Sequence, residues 1–355
     1  MKSFEFRRIM DATARRAAFE ACEPKIWWER NLFSTLVIVD PSIAIDILRS
    51  TDFALPDLRA LVREMRRRQP NSFIHLQPAL ELLPIFLENQ DHTRIRKILG
   101  QYLSSKHHEI EQRLPNVICG LLDSIPQSGE INLVTQLLTP LIGDVFSKLV
   151  DRDLSEEVMG LRLGKMFEVK HTMASLSKLD VMLERVCQFL GTDPSSDEDE
   201  FICQLNCLVF GVENVISTLA ENLFLAFQLS GGTAPAQLPP YPVEVMISTT
   251  HRSAISPTEI AGHRVKPSDI IRIHLEPFGY SNDRAINSAL FGAGRHACIG
   301  KQLTLTIWKH LTEQFNSRKF AGVVTEFESD RSHSFHVTKT LKIVCPDKAD
   351  RVITT

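Results

Sequence analysis

Near the end of the chain, a glycine-rich segment presents one cysteine just before an amphipathic stretch. Residues 291–300 read FGAGRHACIG, and residues 301–315 have the spacing of an amphipathic helix. Glycines permit backbone angles and close approaches that a Cβ would forbid. A helix N-terminus and nearby basic residues favour an anionic sulfur. The pattern indicates that Cys298 is a thiolate ligand beneath a metal, although an isolated cysteine is also commonly a small buried apolar residue.

The ten-residue segment resembles the haem-ligand loop of the cytochrome P450 family. It matches the family's phenylalanine at Phe291, its structural glycines, its basic position at His296 and its cysteine at Cys298. The resemblance implies haem b, with Phe291 beside it and Cys298 as the axial thiolate that favours O–O cleavage at iron. It also implies a mainly α fold with a small β portion, the cytochrome P450 fold, as a single domain over residues 1–355.

Composition excludes several other classes of protein. The 355 residues are 43% hydrophobic and 23% charged, which is typical of a globular chain with a sizeable core. A net charge of -3 gives no general case for nucleic acid or an anionic membrane surface. The cysteines are scattered without a CxxC pair, which argues against a disulfide framework or zinc site. Without a long apolar run or an N-terminal h-region, we expect a soluble cytoplasmic protein of the bacterial type.

Hydrophobic spacing divides the chain into mostly helical segments. Helical character covers residues 5–21, and a strand at 36–39 precedes a helix at 43–49. Residues 95–103 and 109–122 are two amphipathic segments, and helical patterning continues to about residue 229. Residues 230–235 and 239–240 predict a flexible break, compatible with a domain boundary, before strand-like runs that include 265–275. We expect one domain nonetheless, because the resemblance covers nearly the full length.

Basic residues in three segments are candidates for holding the two haem propionates. His92 and Arg96 are four residues apart and share a helix face, which by spacing alone is also typical of a solvated surface. Their segment, DHTRIR, resembles the family's C-helix motif, in which these two positions hold a propionate. The resemblance assigns the same role to Arg252, before a sheet-forming segment, and to His296.

Residues 201–229 form the best candidate for the long apolar helix that crosses over the haem. A mid-helix glycine costs about 1 kcal/mol relative to alanine, so Gly211 indicates an opening of the helix or a close packing contact. The string from Gly211 to Asn214 resembles the family's oxygen-binding motif, with Glu213 matching its acid. Asn214 replaces the usual threonine, and an amide is no comparable proton relay. Gly211, Glu213 and Asn214 are therefore the predicted catalytic residues, with peroxide as an alternative oxidant.

Two further departures indicate a shortened, divergent member. The family has a glutamate and an arginine three residues apart that brace the cysteine side, and residues 242–248 provide no such arginine. The segments at 229–242 and 274–291 are also shorter than the corresponding segments of the family. The haem is therefore expected to be less firmly braced.

The resemblance implies an oxidoreductase, either a monooxygenase or a peroxygenase, that acts on a small or medium-sized intermediate of secondary metabolism. Ferredoxin and ferredoxin reductase would donate electrons unless peroxide is used, docking near Arg94, Lys97 and Lys301, although surface lysines and arginines are commonly only solvated. The alternative is a non-oxidative haem protein of the same fold, namely an isomerase, dehydratase, cyclase or binding scaffold. Neither hypothesis involves nucleic acid or a membrane.

Overall fold

A computed structural model describes residues 11–30, 34–126, 128–167, 171–191, 198–232, 234–331 and 334–345. Helices dominate it: α1 Ala12–Glu20, α2 Pro41–Arg49, α3 Leu58–Arg68, α4 Leu76–Leu80, α5 Asn89–Ser124, α6 Thr139–Val150, α7 Glu156–Met159, α8 Met173–Leu190, α9 Glu198–Phe210, α10 Val212–Ser230, α11 Glu276–Gly279, α12 Arg284–Ser288 and α13 Lys301–Arg318. Tighter 3-10 turns cover Pro84–Phe86, Leu163–Phe167, Ala289–Phe291 and Gly294–His296, and a π turn covers Val134–Leu138.

The strands form a smaller β portion. They are β1 Ile26–Arg30, β2 Ser34–Ile38, β3 Phe53–Ala54, β4 Gly129–Asn132, β5 Thr249–Ala254, β6 Thr258–Ile260, β7 His263–Val265, β8 Ile270–His274, β9 Val323–Asp330 and β10 Val337–Cys345. One sheet has the order β1-β2-β8-β5-β3, a second β4-β10-β9, and β6 pairs with β7. The predicted strand at 36–39 is β2, an interior strand of the first sheet, whose Leu36, Val37 and Ile38 are fully buried. The expected mainly α architecture with a small β portion is confirmed.

Side-chain caps explain where several helices begin. Asp40 accepts hydrogen bonds from the backbone N–H groups of Ser42 and Ile43, and Pro41 occupies the first position of α2. Asp57 caps α3 in the same way. These short-range signals lie next to apolar periodicity, which is why sequence reasoning located the start of α2 to within two residues.

The two amphipathic segments predicted at 95–103 and 109–122 belong to one helix, α5. It has 36 residues and is about 54 Å long at 1.5 Å per residue. Ile110, Leu114, Ile118 and Leu122 form its buried stripe in the second half. Residues 104–109 are exposed or half-buried, so they carry no apolar periodicity and the pattern alone indicated a gap.

The predicted crossing helix is α9 followed directly by α10. Helical hydrogen bonds continue through Gly211, whose N–H donates to the Cys207 carbonyl at 2.8 Å and whose carbonyl accepts from Val215 at 2.9 Å. Residues Glu198–Ser230 are long and apolar enough to cross a membrane by length and composition. However, 78% of the most apolar window is buried within the protein, as in the core helix of a globular fold.

The connection after α10 packs against α13 instead of forming a flexible break. Asn316 of α13 donates to the Leu238 carbonyl at 3.0 Å and accepts from the Leu238 N–H at 2.8 Å. The Trp308 indole N–H donates to the Pro239 carbonyl at 3.0 Å. In the described part of residues 231–248 no helix or strand occurs, apart from one bridge between Ile247 and Phe335. The short connection therefore ties the crossing helix to the helix that follows Cys298.

Candidate functional site

The cysteine loop has a fixed backbone geometry. Gly292 and Gly294 have φ of +79° and +69°, which side chains rarely adopt, and a Cβ on Gly294 would lie 2.4 Å from the Leu48 carbonyl oxygen. The Cys298 N–H donates to the Phe291 carbonyl at 2.8 Å, which closes the loop. Both glycines are thus needed to turn the chain and to let the loop approach α2.

The sulfur of Cys298 lies at the start of α13 and faces an internal cavity. Its Sγ accepts hydrogen bonds from the backbone N–H groups of Gly300 and Lys301. Burial raises the pKa of the thiol, while these two N–H groups and the nearby Arg96 guanidinium lower it. The side chain is nonetheless exposed, because the cavity opens over it. A metal cation at the cavity would add the positive charge that converts such a thiol to a thiolate.

The cavity has a volume of about 340 Å³ and a mostly apolar lining. Its walls come from the cysteine loop, the α9–α10 junction, β5, α5 and the segments at 55–61 and 84–86. Of the predicted site residues, those that line it are Arg96, Gly211, Asn214, Arg252, Phe291, His296 and Cys298. The described lining does not include His92 or Glu213.

Basic side chains gather at one end of the cavity. Arg252 is 4% exposed, and its Nη1 donates to the Thr250 hydroxyl at 3.1 Å and to the His251 carbonyl at 2.8 Å. Burial and the neighbouring Arg295 lower the pKa of Arg252 to about 10. His92 lies behind this group, with its ring centroid 4.7 Å from that of His296 in an edge-to-face contact.

The positive charge at this end is only partly balanced. Glu88 pairs with Arg295 at 2.8 Å, whereas Arg96 and Arg252 form no ion pair with any described residue. Burial and the surrounding cations, Arg252 first, lower the pKa of His296 to about 3. Burial likewise lowers the pKa of Arg96.

These residues fit haem. Among the described residues, the buried Nε2 atoms of His92 and His296 have no hydrogen-bond partner, although Glu88 lies 3.8 Å from that of His296. Arg96 and Arg252 face the cavity without a carboxylate partner in the same part of the chain. Two propionates at this end would relieve the repulsion and satisfy such donors. The apolar walls suit a buried macrocycle, and Cys298 supplies the soft ligand expected for haem iron.

The crossing helix presents a regular face to the cavity. Cys207, Phe210, Gly211, Asn214 and Thr218 all line it and follow helical spacing. A Cβ on Gly211 would lie 2.0 Å from Cε1 of Phe146, so close packing accounts for the glycine. Its φ of -97° is accessible to any residue.

Glu213 points to a different part of the protein from Asn214. Consecutive residues on a helix face about 100° apart, and the Glu213 carboxylate lies against Gly164, where its Oε2 would be 3.2 Å from an added Cβ. Burial raises the pKa of Glu213 to about 7, although Arg162 and the Gly164 N–H lower it. The structure therefore does not bring Glu213 together with Asn214 at the cavity.

Four phenylalanines form an aromatic wall of the cavity. Phe167 stacks against Phe86, Phe210 and Phe335, with ring centroids 5.6, 5.1 and 4.8 Å apart. All four line the cavity, and they come from four separate segments. Because the four residues are far apart in the sequence, no local pattern indicates that they meet.

No family model matches the chain, and no curated protein matches it significantly. Solved structures do match over nearly the full length. P450BioI in complex with an acyl carrier protein carrying hexadec-9Z-enoic acid has a TM-score of 0.71 at 14% identity, covering 97% of this chain and 100% of that chain.

Two further structures agree. CxnD, a cytochrome P450 for C-S bond formation in chuangxinmycin biosynthesis, has a TM-score of 0.65 at 15% identity, covering 93% of each chain. CYP164A2 of Mycobacterium smegmatis has a TM-score of 0.61 at 20% identity, covering 87% of this chain and 90% of that one. The chain has the cytochrome P450 fold.

Within this P450 fold, the partner of Glu244 comes from an unexpected place. Glu244 is the glutamate of residues 242–248, and Arg15 of α1 donates to its Oε1 at 2.8 Å. Both side chains are buried, at 1% and 3% exposure. Ile247, three residues after the glutamate, instead forms a bridge with Phe335. Sequence reasoning missed Arg15, and a separation of 229 residues leaves no local signal that would have found it.

Proposed function

We propose that the chain is a haem-thiolate oxidoreductase of the cytochrome P450 type, acting as a monooxygenase or a peroxygenase. The observation that carries the proposal is the cavity with Cys298 at one wall and unpaired cations at one end. A thiolate ligand and a binding site for two carboxylates are what haem b requires.

Each cavity residue then has a defined task. When bound, haem supplies oxidative chemistry at a thiolate-ligated iron. The Sγ of Cys298 would ligate that iron, held by the N–H groups of Gly300 and Lys301. Arg96, Arg252 and His296 would hold the propionates, with His92 supporting the His296 ring. Phe291 would contact the macrocycle from the cysteine side.

Asn214 and Gly211 are the proposed catalytic positions on the crossing helix. The Asn214 amide can orient a water molecule as donor and acceptor, but it has no hydroxyl to relay a proton. Proton delivery would then depend on ordered water or on a substrate hydroxyl. With peroxide as the oxidant, the relay would be bypassed. Glu213 would take part only after its side chain rotates away from Gly164.

The lining favours a small or medium-sized, largely apolar substrate with an unsaturated or aromatic face. Aromatic pairs contribute about 0.5–1.5 kcal/mol beyond area burial. The wall around Phe167 would form such pairs with an aromatic substrate. CxnD acts in chuangxinmycin biosynthesis, and P450BioI binds an acyl carrier protein. The biosynthetic role of CxnD supports an intermediate of secondary metabolism as the substrate. We further propose a cytoplasmic location, with ferredoxin and ferredoxin reductase as electron donors or peroxide as the oxidant. Arg94, Lys97 and Lys301 are the proposed docking residues for a donor.

A non-oxidative haem protein of the same fold is the second candidate. Asn214 favours it, because the position that normally relays protons has an amide. Reconstitution with a ferredoxin and its reductase separates the two candidates: steady NADPH-dependent oxygen consumption supports the oxidase, and its absence despite full haem loading and peroxide treatment supports the alternative.

The test of the proposal is a reduced, carbon monoxide difference spectrum of the purified protein. We expect a thiolate-type spectrum that Cys298→Ala abolishes together with most of the bound haem. Cys187→Ala is the matched control, because Cys187 is half-buried in α8 and does not line the cavity. An unchanged spectrum in Cys298→Ala would reject the assignment.

A further inference from the structure

Glu244 is the centre of a buried polar network outside the cavity. Its carboxylate accepts hydrogen bonds from Arg15 of α1 and from the hydroxyl of Tyr280. Its backbone is held by Asn222 of α10, which accepts from the Glu244 N–H at 3.1 Å and donates to the Glu244 carbonyl at 2.8 Å. One residue thus connects α1, the crossing helix and the segment after α11.

The segment held by Glu244 leads directly to the cysteine loop. Gly279 packs so tightly that an added Cβ would lie 1.8 Å from the Val243 carbonyl oxygen. Asn287 of α12 donates to the Gly279 carbonyl at 3.2 Å, which joins α12 to the end of α11. Lys301 donates to the Ser288 carbonyl at 2.8 Å. Contacts therefore run without interruption from Glu244 through residues 279–288 to the helix that begins beside Cys298.

Arg15 neutralises the buried carboxylate of Glu244. Glu276, 1% exposed, lies 3.9 Å from the Arg15 Nε and 3.3 Å from His274. Burial raises the pKa of Glu244, while Arg15 is the first of the groups that lower it. Removing one partner of a buried ion pair leaves an uncompensated charge in a medium of low polarity. Without Arg15, Glu244 would lose its direct ion pair and keep only the more distant charge of Arg331, so burial would raise its pKa further.

We propose that Arg15 is a positioning residue for Cys298. By neutralising Glu244 it keeps the contact between Glu244 and Tyr280. This contact holds residues 279–288, which pack against the start of α13 beside Cys298. The proposal rests on the proposed haem-thiolate function. It gives Arg15 of α1 the bracing role of the arginine that residues 242–248 lack.

The first experiment compares Arg15→Met with Arg185→Met in the haem-loaded protein. Arg185 is half exposed on α8, pairs with Glu157 at 3.1 Å and lies outside the Glu244 network. For Arg15→Met we expect haem transfer to an acceptor protein to be about a hundredfold faster, and a shift of the reduced carbon monoxide spectrum from the thiolate to the neutral-thiol form. Arg15→Lys should lie between, and Arg185→Met should match the original chain. A folded Arg15→Met protein with the original spectrum and haem-loss rate would overturn the proposal.

A milder variant covers the case in which Arg15→Met does not fold. Tyr280→Phe keeps the ion pair and removes one hydroxyl, so we expect hydrogen exchange to be about tenfold faster in residues 276–300 and unchanged in α5 and β2. Equal acceleration everywhere, or none in residues 276–300, would contradict the positioning role. The measurement is made with and without haem. Failure of the original chain to bind haem would reject the proposed function, while exchange in the haem-free chain would still decide the role of the network.

Discussion

The ring of Phe146 occupies the space that a side chain at Gly211 would need. The distance from an added Cβ to Cε1 would be 2.0 Å, and to Cζ 2.3 Å. The contact joins α6 to the junction of α9 and α10 beside the cavity. The added Cβ would also lie 2.5 Å from the Cys207 carbonyl oxygen, so two close contacts explain a glycine that helix propensity disfavours.

Replacing this glycine should destabilise the protein. We expect Gly211→Ala to lower the free energy of unfolding by about 1–3 kcal/mol, because the ring must move in a filled core. Denaturant unfolding at equilibrium measures the change. Gly120→Ala is the control: Gly120 lies exposed in α5 with nothing within 4 Å, so alanine should be neutral or stabilising by up to about 1 kcal/mol. In a Phe146→Ala background the cost of Gly211→Ala should fall but not vanish, because the added Cβ would still lie 2.5 Å from the Cys207 carbonyl oxygen. An undiminished cost would show that the ring does not contribute to it.

The cations at the end of the cavity should control haem retention. Arg96→Ala and Arg252→Ala each leave a propionate less well paired, at about 2–5 kcal/mol if the pair is fully desolvated. The rate of haem transfer to an acceptor protein reports the effect. Arg94→Ala is the matched control, because Arg94 is exposed on the same helix and lies 3.6 Å from Asp199. Normal haem occupancy and loss rates in both variants would exclude propionate binding by these arginines.

Asn214 should decide which oxidant the protein uses. Asn214→Thr introduces a hydroxyl at the cavity wall, so reductase-driven oxygen chemistry should rise relative to the peroxide-driven reaction. Hydrogen peroxide release serves as a measure of uncoupled turnover until a substrate is found. If the ratio of the two activities stays the same with full haem content, a relay role at this position is excluded and the non-oxidative candidate gains support.

Glu213 should make stability depend on pH. Its folded pKa, about 7, lies above that of a free glutamate because the buried carboxyl favours its protonated form. The stabilisation is therefore complete below the ordinary pKa of glutamate and is lost as the pH rises through 7. Between pH 4.5 and pH 8, the free energy of unfolding of Glu213→Gln should therefore fall by about 1–3 kcal/mol less than that of the original chain. If the free energies of unfolding of the two proteins change with pH by the same amount across that range, the raised pKa of Glu213 is contradicted.

Local sequence signals predicted the elements that lie close together in the chain. The cysteine loop was recognisable because its glycines, Cys298 and the following helix are contiguous. The crossing helix was evident from its apolar length, and Asn214 falls on its cavity face as spacing required. His92 and Arg96 share one helix, so their proximity also followed from spacing.

Relationships between distant segments could not be predicted in this way. The Arg15 and Glu244 pair, the four-phenylalanine wall and the contact between Gly211 and Phe146 each depend on tertiary packing. Glu213 shows the same limit at short range: the motif indicated its type, but only the position of Gly164 shows where its carboxylate points. The continuity of α5 was hidden because its middle turns face solvent.

The pairing of Arg15 with Glu244 also has a consequence for synthesis of the chain. A ribosome adding about 5–20 residues per second needs roughly 10–45 seconds to make the 229 residues that separate them. Throughout that interval the guanidinium of Arg15 has no carboxylate partner from residue 244, so α1 cannot form the ion pair in which Arg15 is buried. Helix α1 is therefore expected to dock only after residue 244 has been made, and nascent chains arrested before residue 244 should remain open to proteases at α1.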